Sequence, residues 1–183
     1  MSPTILVAPR EVHDLVVRCA RVGGCTAGVA DRLALNVTTA EVQLGAAIEV
    51  LVGVMEGGHL ADSPMASAPD VLAAAEVAAR SEGAATAQFD RPVPLAGLVA
   101  AIRGAEVRGV LVGGVPDAAT AATSVTELVL EAGAAVPRDT DPGAEATGAF
   151  RNGLEVDRAA FDRLVEVAGR FLVSEAILDG IES

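Results

Sequence analysis

The chain has 183 residues, including 37 Ala and 26 Val but only 4 Phe; it has no Tyr, Trp or Lys, and its 13 Arg against 25 acidic residues leave a formal net charge of -12. Without lysine it can support neither Schiff-base chemistry nor a GxxxxGK[ST] phosphate loop, and without Tyr or Trp it has no tyrosine acid and no indole platform. The acidity argues against nucleic acid and anionic membrane surfaces as partners, and the length predicts a single domain over 1–183.

The N-terminus lacks the basic segment and apolar stretch of a secretory signal, so a cytoplasmic protein is expected. Thr4 to Ala8 reads as a short strand, and Pro9 suits the first position of a helix whose stripe is Val12, Leu15, Val16 and Cys19. Gly23-Gly24 ends it, and Thr26 is a plausible N-cap for a second helix carrying Val29, Ala30, Leu33 and Val37. Thr38 and Glu41 have capping-box spacing: either a third helix begins there, through Leu44, Ile48, Leu51 and Met55, or the second runs on. The apolar run Leu44 to Met55 is shorter than the about 20 residues of a bilayer span and contains Glu49.

Residues 59–69 read as a loop, Val71 to Ser81 as an alanine-rich helix, Ala85 to Asp90 as a strand and Leu95 to Arg103 as a short helix. Val107 to Val112 is the strongest strand candidate, and Pro116-Asp117 is expected to start a helix through Val125, Leu128 and Val129 to Glu131. The Pro- and Gly-rich stretch 136–150 reads as flexible, Gly153 to Val156 as a strand, and Asp157 as the cap of a final helix. A helical tail over 174–179 follows. The expected fold is α/β or α+β and helix-rich, a leading helical layer (about 9–57) packed on a small sheet within a mixed part (about 69–183).

The chain has two histidines and two cysteines. His13 lies on the flank of the first helix, where a solvated face explains it. His59 and Asp62 fall in a loop after a glycine pair, where a histidine oriented by a carboxylate could act as general base. His13 and Cys19 would point about 120° apart on a helix, so they cannot converge on a metal ion with Cys25, and no metal is expected. Cys19 reads as core, while Cys25, in a turn, reads as the more exposed thiol. Gly113 and Gly114, between a strand and an expected helix start, could place free N–H groups around an anion, with Asp117 and the hydroxyl of Thr120 nearby.

The two-helix pattern of residues 10–45, with its glycine turn and closing Ala40-Glu41-x-x-x-Gly45, resembles the N-terminal helices of the malate/L-lactate dehydrogenase-like family. It is also similar to the opening of an uncharacterised bacterial family that ends in a helix and a Val-x-x-Ser segment, compared with Phe161 to Ser174 here. The dehydrogenases carry a Ser-His-Gly motif soon after the second helix and this chain has none, so the resemblance implies fold and no catalytic residue.

A core of Ala and Val gains less per contact, at about 0.8 kcal/mol per buried CH₂, and the mean hydropathy of +0.46 is high for a monomer. Association with a second copy or a partner subunit is therefore expected. The function most consistent with these residues is an acidic accessory or ligand-binding protein, homodimeric, with no tightly held cofactor. The alternatives are a small hydrolase or isomerase using His59 and Asp62 with an anion site at Gly113-Gly114, and a non-catalytic subunit of a hetero-oligomeric enzyme.

Overall fold

The computed structural model describes residues 3–133, 148, 149 and 151–179, with side chains through 171. The chain runs β1 (Thr4–Val7), α1 (Pro9–Val22), α2 (Ala27–Leu44), α3 (Ala47–Glu56) and α4 (Pro64–Glu82). It continues through β2 (Ala84–Pro94), α5 (Val99–Val107), β3 (Val110–Gly113), β4 (Ser124–Ala132), β5 (Leu154–Asp157) and α6 (Arg158–Asp179). The fold is a helix-rich α/β one, its two small antiparallel sheets packed against helices. The expected flexible stretch 136–150 lies outside the described residues apart from 148 and 149.

Local signals account for several boundaries. Pro9 opens α1; the Thr26 hydroxyl accepts from the Val29 N–H to cap α2, and the Asp157 carboxylate accepts from the Ala160 N–H at 2.9 Å to cap α6. The spacing of Thr38 and Glu41 suggests a helix start, yet α2 runs through both. Glu41 instead reaches forward from the last turn of α2, and its Oε2 accepts from the Ile48 N–H at 2.9 Å, in the first turn of α3. That carboxylate serves an end whose own N-cap, Ala46, has no capping side chain and sits at φ 55°. Burial raises the Glu41 pKa, opposed by these backbone donors.

Elsewhere the structure corrects the expectation. The segment expected as a helix over 116–131 is a turn followed by β4, the central strand of the order β2-β4-β3. Val125, Leu128 and Val129 satisfy a helical i, i+3, i+4 spacing, but pairing on both edges makes Leu128 and Leu130 an inward alternation instead. The helix expected from Val71 begins at Pro64, because Ser63 is extended and proline suits a first helical position; it carries Pro69 inside it. β2 continues through the expected turn at 91–94, with a register shift between Gln88 and Val93. The tail over 174–179 is continuous with α6.

One hydrophobic cluster spans both parts of the chain, and its largest fully buried side chains include Leu33, Leu51, Met65, Leu98, Leu128 and Leu164. α1 packs on α2 and α6, while α4 packs across β2 and β4. An ion cluster centred on the buried Glu76 ties α4 to the end of α5: Glu76 accepts from Arg108 Nε at 2.7 Å, Arg108 Nη2 at 2.6 Å and Arg80 at 2.9 Å, both arginines remaining partly exposed. Hydrogen bonds from Arg108 hold the Glu76 carboxyl below its ordinary value.

Candidate functional site

His59 and Asp62 are not brought together as a catalytic pair. His59 is an exposed residue in the turn after α3, and Asp62 closes a 3₁₀ turn, Leu60–Asp62, whose backbone N–H donates to the His59 carbonyl at 3.1 Å. The contact between them is therefore main-chain, and the Asp62 carbonyl accepts from Arg91. The imidazole edges a cleft of about 120 Å³ floored by Cys19 and Leu60 and flanked by Arg163 and Arg170; neither Asp62 nor the 113–117 turn lines it. The Cys19 thiol there is no nucleophile. It donates to the Leu164 carbonyl at 3.3 Å, and burial pushes its pKa up to about 12. Cys25, expected to be the exposed thiol, is buried as well, and burial raises its pKa against the opposing charge of Arg21. Among the described residues no group of three or more His, Cys, Asp and Glu could hold a metal ion.

The helix expected to start at Pro116 is absent, so the helix dipole expected to favour an anion at Gly113-Gly114 is absent with it. Gly114 holds φ +97°, and a Cβ there would stand 3.3 Å from the Glu127 carbonyl oxygen, so glycine is needed for the turn itself. The Thr120 N–H donates to Thr123 Oγ1 at 2.9 Å, and the two hydroxyls lie 3.3 Å apart, closing the turn on itself. Asp117 is exposed.

The region is nevertheless one wall of a cleft. Val112, Val115 and Ala119 face Gln43 and Leu44 at the end of α2 and one face of α5, enclosing about 220 Å³. On α5 the lining residues are Val99, Ile102, Arg103 and Glu106, an i, i+3, i+4, i+7 set that a helix necessarily presents together. Most of the wall is aliphatic, and the charges are one Arg and one Glu, both half-buried. Burial raises the Glu106 pKa, with the positive charge of Arg103 opposing it. Arg103 makes no ion pair among the described residues. Ending the fifth helix at Arg103, as the sequence suggests, leaves Glu106 outside it; the 99/102/103/106 spacing was the signal that could have found this face.

Among the described residues no helix is long and apolar enough to cross a membrane. Comparison of the chain with protein-family models, with curated proteins and with solved structures finds no match in any of the three.

Proposed function

We propose that this is a cytoplasmic, non-catalytic ligand-binding protein that works as a homo-oligomer, and that its ligand is a small aliphatic zwitterion of the amino-acid type. The observation that carries this reading is that Arg103 and Glu106 line one aliphatic cleft, near enough for the Arg103 charge to act on Glu106 yet with no ion-pair contact to Arg103 among the described residues. A guanidinium is matched to a carboxylate by two parallel hydrogen bonds. Glu106 supplies the complementary site for an ammonium group, and Leu44, Val99, Ile102 and Val115 supply the surface for a branched side chain. A simple anion would meet Arg103 but also the Glu106 charge, so a ligand of no net charge is favoured over a plain carboxylate. Among the described residues the cleft is lined by no Ser, Thr, Cys or His, and Glu106 is needed there for the ammonium group, so we favour binding over turnover.

Titration calorimetry with leucine, valine, isovalerate and isobutylamine tests the reading. Leucine or valine should bind and the two single-charge analogues should bind more weakly. Arg103→Gln and Glu106→Gln should each weaken binding by about tenfold, in line with loss of a charged hydrogen bond. Absence of heat and of thermal stabilisation with every compound would overturn it.

A further inference from the structure

Building on the homo-oligomer reading, we propose that two copies of this chain associate about a two-fold axis through the outward face of α4, the helices lying antiparallel at the level of Ala75. This face is exposed at Asp70, Ala73, Ala74, Val77, Arg80 and Ser81, and Val77 is 69% exposed. It borders a groove of about 230 Å³ between α2, α4 and α5, with Leu35, Pro69, Ala73 and Ala100 on its apolar walls. Leu35 is itself 54% exposed, a large aliphatic side chain turned to water.

The polar groups of the groove already have partners. Arg32 pairs with Asp70 at 3.1 Å, Asn36 donates to the Arg32 carbonyl and accepts from the Ala101 N–H, and Glu76 holds Arg80 and Arg108. No polar group there awaits a polar ligand, so the groove fits an aliphatic side chain better than a charged metabolite. The charges say whose. Asp70 and Arg80 stand five residues either side of Ala75, and although each pairs within its own chain, with Arg32 and Glu76, both remain exposed and can take a second contact from outside. An antiparallel second α4 places Asp70 of each copy opposite Arg80 of the other and Val77 of each beside Ala73 of the other. A parallel pairing would set like charge against like. The pattern is thus self-complementary in the isologous arrangement, and the alanines let the helix axes approach closely.

Sedimentation of the whole chain over a dilution series tests this, with far-UV circular dichroism to show that each variant is folded. The wild type should be a dimer. Asp70→Arg leaves only positive charge at the two positions and Arg80→Asp only negative, so each alone should raise the dissociation constant by about tenfold or more. An equimolar mixture of the two variants should recover the dimer, because each mixed contact is again opposite in sign; altered folding of either chain cannot produce that rescue. Val77→Glu, which disturbs no buried contact, should weaken the dimer alone and in every mixture. A dimer that neither Val77→Glu nor the charge changes weaken, or folded charge variants that do not recover on mixing, overturns this face and leaves the oligomer reading standing. A wild-type monomer at every concentration overturns both.

Discussion

Replacing Glu76 by Gln removes one negative charge from the only acidic side chain in the cluster that joins α4 to the end of α5. Glu76 is 7% exposed and receives three guanidinium hydrogen bonds, two of them from Arg108 in a forked pair. Breaking a fully buried pair by deleting one partner costs about 3–5 kcal/mol. Here Arg108 and Arg80 are 54% and 45% exposed, so water takes over much of what the carboxylate supplied. The expected loss at neutral pH is therefore about 1–2 kcal/mol, or roughly 2–8 °C in Tm for a chain of this length. Because hydrogen bonds from Arg108 hold the Glu76 pKa below 4.5, its stabilisation is complete above that value and is lost as pH falls through the depressed folded-state pKa. Glu41, with its pKa raised by burial, favours the folded state less as pH rises through its own folded-state pKa, but it is present in both proteins and cancels in their difference. Urea unfolding of wild type and Glu76→Gln across acidic and neutral pH should show a gap that closes on acidification. A gap of the same size at every pH, or none at neutral pH, would refute the argument that the charge, rather than the shape, of Glu76 holds α4 to α5.

Four further changes probe the backbone and the core. Ala46→Gly should stabilise the protein by about 0.5–1 kcal/mol in thermal melts, since Ala46 sits at φ 55°, where an L side chain is strained. Asp157→Ala should cost about 1 kcal/mol by leaving the Ala160 N–H uncapped at the start of α6, measured by urea unfolding. Gly23→Ala would place a Cβ 2.8 Å from Cβ of the buried Leu60 and should cost about 1–3 kcal/mol by the same assay. Neither thiol should react with a disulfide reagent in the folded protein at mildly alkaline pH, both being buried with raised pKa, and both should react on unfolding.

Among the features that could be read from the chain by itself are those set by neighbours within a turn or two: Pro9 opening α1, Thr26 and Asp157 as caps, and Cys19 on an inward stripe. These are local because a helix satisfies its own backbone and needs only a cap and a periodic apolar face. The tertiary structure decided the rest. Glu41 has the spacing to close a box with Thr38, but the end left uncovered is that of the next helix, which α2 and α3 bring within reach by folding back. Residues 124–132 carry spacings that suit a helix or a strand, and the choice fell to β2 and β3, both earlier in the chain, which flank β4 on either side and whose edges offer the hydrogen bonds a strand cannot make alone. With that strand in place the glycine turn at 113–114 lost its helix, and the side chains of α5 met the turn at 115–119 to form a cleft. A cap is written in consecutive residues; a cleft exists only where distant segments have already agreed on how to pack.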